Sequence, residues 1–172
     1  MIRSTLVGIS IVLCLAVSSC APPAENVDDI IASNKALDAK YVGSYMKNNL
    51  DSLMSTYLNS PNTFEIESDG TLLKGYDAIS TYYRDFFSGF EVLDGKILEQ
   101  DYKVYEGAVI GHGKYWVKFR PRGGPELEIT GRYFDVREKH NGKWHYVANS
   151  MVGVQPPSQP MSPAAEMKGK KK

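Results

Sequence analysis

Little in this sequence could staple, metallate or charge a fold. Cys14 and Cys20 are the only cysteines; Cys14 sits in an apolar leader that export would remove. Cys20 alone supports neither a disulfide framework nor a zinc-type cysteine set. The histidines, His112, His140 and His145, show no helical ligand spacing such as His-Glu-x-x-His, so no metal site is expected. No glycine loop of the phosphate-cradling kind occurs either, and no cofactor is expected. Gly111 and Gly113 alternate within a strand pattern, where they allow close packing or sheet curvature. Charge of one sign is also missing. Arg3 lies in the leader and Glu166, Lys168, Lys170, Lys171 and Lys172 in the tail, which leaves a slightly acidic body. Nucleic-acid binders concentrate Lys and Arg on one face, so a nucleic-acid partner is not expected. The apolar run Leu6 to Val17 is too short to span a bilayer comfortably.

What is present is enough for one core: 172 residues, 42% apolar and 11% aromatic. Arg3, the apolar run and Ser18-Ser19 before Cys20 read as an export signal over residues 1–19. Val17-Ser18-Ser19-Cys20 resembles the bacterial lipobox, which implies that Cys20 is acylated as the first mature residue. Ala21-Pro22-Pro23-Ala24 then gives a stiff spacer within residues 20–26. These features imply a lipid-anchored protein of the bacterial cell envelope, with the outer membrane or periplasmic face favoured and the membrane as a partner through Cys20. The alternative is an ordinary secretory peptide cut near Ser19. One domain is expected over residues 27–153, followed by a disordered Pro/Lys-rich tail over 154–172.

Helices come first. Val27, Ile30, Ile31, Leu37, Tyr41, Val42, Tyr45 and Met46 recur near the helical period, with Asn34 interrupting the stripe and Asn26 as start signal. Leu50, Leu53, Met54, Tyr57 and Leu58 form a second, shorter helical stripe that Pro61 ends. A short strand, Thr63 to Glu67, leads to a turn at Asp69-Gly70. After Gly75 a third helix carries Ile79, Tyr82, Tyr83, Phe86, Phe87 and Phe90 on one stripe, a pattern more typical of core than of a ligand site. From Glu91 the chain reads as long strands separated by Glu106-Gly107, Arg122 to Pro125 and Asn141-Gly142. Asp94-Gly95 is either a bulge that curves the first strand or a tight hairpin. Helices followed by an antiparallel meander define the α+β class.

The register of the last hairpin decides which side chains meet on the buried face. A two-residue loop at Asn141-Gly142 pairs Lys139 with Trp144 and mixes charge with core. A three-residue loop, His140 to Gly142, pairs Lys139 with Lys143 and gathers Phe134, Val136, Tyr146 and Ala148 on one face. The second register is preferred. It leaves Arg132 and Ser150 as the polar groups of the buried face and sends Tyr133, Asp135, Arg137, His145 and Asn149 outward.

Gly131-Arg132-Tyr133-Phe134-Asp135-Val136 followed by Asn141-Gly142-Lys143-Trp144 resembles the closing hairpin of SnoaL-like members of the nuclear transport factor 2-like superfamily. Asn49 to Tyr57 and Lys74 to Ile79 are similar to that family's second-helix and third-helix signatures, and the resemblance covers roughly residues 27 to 153. It implies a cone: three N-terminal helices packed in a curved antiparallel sheet, a pocket at the open end, and often a homodimer through the sheet. The scaffold carries isomerases, dehydratases, cyclases and members without known chemistry, so fold alone does not give function. Where relatives often place histidine on the final strand, this chain has Ala148 and Ser150, which weakens the catalytic case.

The candidate pocket comprises Tyr41, Tyr45, Tyr83, Phe87, His112 and Trp116, with Arg132, Phe134, Trp144, Tyr146 and Ser150 from the last hairpin. No catalytic residue is fixed by the sequence; His112 and Arg132 are the best candidates. His112 either enters the pocket as an acid or base or points outward. Arg132 either clamps a carboxylate ligand or satisfies a buried group of its own domain. The preferred reading is a lipid-anchored domain that binds a small organic ligand or serves as an accessory. The alternatives are a small acid–base enzyme, favoured if Glu65, Glu67 or Asp135 reaches His112 or Arg132, and an interaction domain whose cone is filled by its own aromatics.

Overall fold

A computed structural model describes residues 25–154. The expected leader, the Cys20 lipidation site, residues 21–24 of the spacer and the tail from residue 155 lie outside the described residues. Helix α1, Val27–Met46, starts where Asn26 accepts a hydrogen bond from the Asp28 N–H. It runs unbroken through Asn34, whose buried amide donates back to the Ile30 carbonyl. Helix α2, Leu50–Met54, is capped by Asn49 and is shorter than its stripe suggests. Tyr57 and Leu58 leave the helical path because Tyr57 bridges to Tyr146 and the Leu58 N–H donates to the Tyr146 carbonyl.

Strand β1, Phe64–Ile66, pairs with a short strand the sequence pattern does not reveal, β2, Leu72–Lys74. Helix α3, Tyr76–Gly89, begins after Gly75 at φ 88°, a left-handed conformation suited to glycine. Four long strands follow: β3, Phe90–Tyr105; β4, Ala108–Pro121; β5, Leu127–His140; β6, Lys143–Val154. The sheet order is β2-β1-β6-β5-β4-β3. It is antiparallel except where β1 lies parallel to β6, so the expected antiparallel sheet is mixed. Asp94-Gly95 sits in a bulged strand, not a hairpin: β3 continues through two register shifts, at Val92/Asp94 and Ile97/Glu99. Among the described residues no helix is long and apolar enough to cross a membrane.

The last hairpin corrects the expected register. Asn141 (φ 49°) and Gly142 (φ 76°) form a two-residue turn with both residues left-handed, and Lys139 pairs with Trp144. Between Arg137/Tyr146 and Val136/Ala148 the ladder skips Val147, after which Phe134 faces Ser150 and Arg132 faces Val152. This bulge reverses the expected faces. Tyr133, Asp135, Arg137, Tyr146 and Asn149 point inward, whereas Phe134 is 49% exposed and Arg132 stands outside with it. The apolar alternation lost because the inner face finds charged partners on α1.

The core packs Leu37 of α1, Leu53, Met54 and Tyr57 against Ile79, Tyr83 and Phe87 of α3, closed by Val92 and Tyr146 of the sheet. Glu65, Asp38, Asp135, Arg137 and Asn149 are buried as well. A core this polar holds only if each such group is bonded.

Candidate functional site: a tyrosine-lined cavity

Asp38, Tyr41, Val42, Tyr45 and Met46 follow the i, i+3, i+4, i+7, i+8 rule on α1 and face the inner side of the sheet. Between them and the sheet lies a cavity of about 110 Å³, well above the roughly 10–15 Å³ that one water needs. Ile97, Tyr115 and Val117 close one side, and Tyr133, Asp135, Tyr146, Asn149 and Met151 the other. Gly95 leaves space for the α1 end: a Cβ there would lie 3.2 Å from the Met46 sulfur.

One wall is an ion cluster. The Arg137 Nε donates to Asp135 Oδ1 at 2.6 Å, and Nη2 donates to Asp135 Oδ2 at 2.8 Å and to Asp38 Oδ1 at 2.7 Å. Nη1 donates to the Asn34 carbonyl at 3.1 Å. The rings of Tyr102 and Tyr146 sit 5.1 and 4.9 Å from the guanidinium carbon. Asp38 also accepts from Tyr102, Tyr146 and Gln100, so its oxygens are fully engaged. Such a buried pair survives its desolvation cost only with this completeness of bonding. Gly111 makes room for it, since a Cβ there would lie 2.6 Å from Arg137 Nη2. Burial pushes the Asp135 carboxyl up, with Arg137 opposing.

Deeper in the core, Glu65 is fully buried and accepts from Tyr57 Oη at 2.9 Å, Tyr83 Oη at 2.8 Å and Asn149 Nδ2 at 3.0 Å. Tyr41, on the cavity wall, shares a 2.7 Å hydrogen bond with the Tyr83 hydroxyl, so a tyrosine chain links cavity and carboxyl. Burial, then the neighbouring Glu67, pushes Glu65 up to about 8. Burial raises Glu67 to about 7. Burial likewise pushes the Tyr57 and Tyr83 hydroxyls well above their usual range.

Of the residues the sequence pointed to, Tyr41, Tyr45 and Tyr146 meet on the cavity wall. Trp116 borders it, but its indole N–H donates to Glu128 and its ring lies under the Lys96 ammonium. Tyr83 and Phe87 are core, and Trp144 packs against that core. His112, Arg132, Phe134 and Ser150 correct the expectation. His112 has a 46% exposed side chain, 3.4 Å from Asp101. Arg132, with a side chain 64% exposed, pairs with Glu99. Ser150 pairs with Phe134 and with Ile66 on the face opposite the cavity. Glu65 and Asp135 do point inward, but towards Tyr57, Tyr83, Asn149 and Arg137, not towards His112 or Arg132. The register argument sent Tyr133, Arg137 and Asn149 to the wrong face, and the rest of the sequence reading passed over Asp38 and Tyr115. Asp38 carried a readable signal, a carboxylate inside the stripe of Tyr41 and Tyr45.

No protein-family model and no curated protein matches the sequence. Solved structures do. A nuclear transport factor 2-like superfamily protein from Salmonella enterica serovar Typhimurium superposes with a TM-score of 0.69 at 19% identity, over 83% of this chain and 99% of that one. A ketosteroid isomerase-like protein from Erwinia carotovora atroseptica gives 0.67 at 11% identity, over 75% and 99%. A nuclear transport factor 2-like protein from Cytophaga hutchinsonii gives 0.62 at 17% identity, over 76% and 100%. The chain therefore has the nuclear transport factor 2-like fold: helices held by a curved, open mixed sheet, α+β.

Proposed function

We propose that this SnoaL-like domain binds a small organic ligand in the tyrosine-lined cavity and is held at the bacterial cell envelope by an acylated Cys20. The cavity carries the reading: it is largely apolar, backed by a bonded and therefore rigid polar wall, and sized for a compact molecule. Its open volume favours a ligand site over a cone filled by its own aromatics. Ligand-observed NMR with a fragment set, on the wild type and on Val42→Phe, tests it. Fragments should bind the wild type and lose binding in the filled variant. Binding that survives Val42→Phe, or none to either protein, would overturn the reading. The lipid anchor is checked separately by Cys20→Ser, which should move the protein from the membrane to the soluble fraction.

The second reading is an acid–base enzyme, and one observation favours it: the Tyr41–Tyr83–Glu65 chain ends at a carboxyl pushed up to about 8, which holds its proton near neutrality. Glu65, Asp38 and Asp135 are all engaged by internal donors, which leaves none posed as a base towards the cavity. Exchange of α-protons of small ketones, abolished by Glu65→Gln, would move the assignment to this class.

A homodimer through the outer sheet face completes the proposal. Phe134 and Val152 lie there 49% and 60% exposed. Light scattering should give a dimer that Phe134→Arg dissociates; a wild-type monomer would count against it.

A further inference from the structure

The buried wall groups of fixed polarity are acceptors, and together with the charge and the rings around them they point to a class of ligand. Asn149 gives its Nδ2 to Glu65 Oε1 at 3.0 Å and to Tyr57 Oη at 3.2 Å. Its amide is thereby oriented, and Oδ1 makes no hydrogen bond among the described residues; Asn149 lines the cavity. The remaining wall groups of fixed polarity, Asp38 and Asp135, are acceptors too. Asn149 Nδ2 and Trp116 Nε1 are committed to internal acceptors, so the free side-chain N–H left for a ligand carbonyl or carboxylate among the described residues here is that of Lys96, whose ammonium lies 5.3 Å from the Trp116 ring centroid. The Tyr41 and Tyr146 hydroxyls are committed to Tyr83 and Asp38, whereas the buried Tyr133 hydroxyl has no hydrogen-bond partner among the described residues and can accept from an ammonium as well as donate to a carbonyl.

Charge points the same way. Two buried carboxylates, Asp38 and Asp135, share one buried cation, Arg137. With both carboxylates ionised the buried wall is net negative and little screened by solvent, whereas Lys96 is exposed and its charge is solvated. Aromatic faces supply the rest. Tyr41, Tyr45, Tyr115, Tyr133 and Tyr146 surround the space, and ring faces attract cations. The same wall already seats a guanidinium between Tyr102 and Tyr146.

We infer that the cavity selects a small organic cation, an amine on a compact apolar body, over carboxylates and neutral carbonyl compounds. The inference rests on the reading of the cavity as a ligand site. In the bound state the ammonium donates to Asn149 Oδ1 and faces the tyrosine rings, and the apolar body packs on Val42, Val117 and Met151.

Three probes of one shape decide it: benzylamine, benzyl alcohol and benzoate, titrated into the purified protein by ligand-observed NMR at about pH 7. Benzylamine should bind at least about tenfold tighter than benzyl alcohol, and benzoate weakest, as expected for a desolvated cation–π site. Val42→Phe should abolish benzylamine binding, which separates the cavity from acidic surface sites. Tyr115→Leu, which removes one ring face and keeps an apolar side chain, should cut the preference for amine over alcohol about three- to tenfold. Benzyl alcohol or benzoate binding as tightly as benzylamine overturns the inference and leaves the ligand site standing. Benzylamine binding untouched by Val42→Phe overturns it as surface attraction. Failure of all three probes removes the inference together with the ligand site.

Discussion

Alkaline pH should weaken this fold, and Glu65 should be the main cause. Its carboxyl is fully buried and raised from an ordinary 4.5 to about 8, first by burial and then by Glu67. Between those two values the folded state holds a proton that the unfolded state has lost, so unfolding releases it and stability falls as pH rises. Below 4.5 both states are protonated and the contribution vanishes; above about 8 the full penalty is present. At 1.36 kcal/mol per pKa unit, the loss between about pH 5.5 and about pH 8.5 comes to about 3 kcal/mol. Glu67, raised to about 7, adds a loss of the same sign. His145 works against both. Burial and the nearby His140 lower its pKa, so the unfolded state binds the extra proton and stability rises as pH passes its ordinary 6.5. Glu65→Gln keeps shape and hydrogen-bonding capacity while removing the titration, so comparison with the wild type largely cancels His145 and Glu67. Urea denaturation of both proteins at the two pH values is the assay, with m-values compared to confirm like unfolding. The wild type should lose about 3 kcal/mol more than Glu65→Gln over this interval. Equal losses in the two proteins, or a wild type that gains stability, would refute the argument.

Three further outcomes follow from the inner face of the sheet. Arg137→Met leaves Asp38 and Asp135 buried without their cation and should cost about 3–5 kcal/mol by chemical denaturation. Gly111→Ala places a Cβ 2.6 Å from Arg137 Nη2 and 2.7 Å from Asp135 Oδ1; displacing that pair should cost about 1–3 kcal/mol. His112→Ala, at an exposed position on the opposite face, should change stability by less than about 0.5 kcal/mol. A loss of several kcal/mol there would return His112 to the interior and with it the sequence-based pocket.

Much of the scaffold was legible because it rests on local rules. Asn26 capped α1 and Asp94-Gly95 marked a bulge within a continuous strand, whereas the Asn141-Gly142 turn closed over two residues and not the expected three. The stripe of Ile79, Tyr83 and Phe87 went to the core as its period required. The site was not legible in the same way. Phe134 and Val136 looked like the buried alternation of β5, yet Asp135 and Arg137 are the residues buried there, as Glu65 is on β1. Alternation within one strand cannot price a charge whose partner lies elsewhere in the chain.

The sequence by itself determined the order of the three helices and of every strand but β2, the α+β class and the aromatic core of α3, because each depends on neighbours within a few residues. Tertiary structure alone decided that β1 lies parallel to β6, that Val147 is skipped in the last ladder, and that Asp38 of α1 meets Arg137 of β5. The physical reason is the same throughout. One skipped residue reverses which face a strand buries, and burying Arg137 is favourable only once Asp38, Asp135, Tyr102 and Tyr146 have been assembled around it from distant segments.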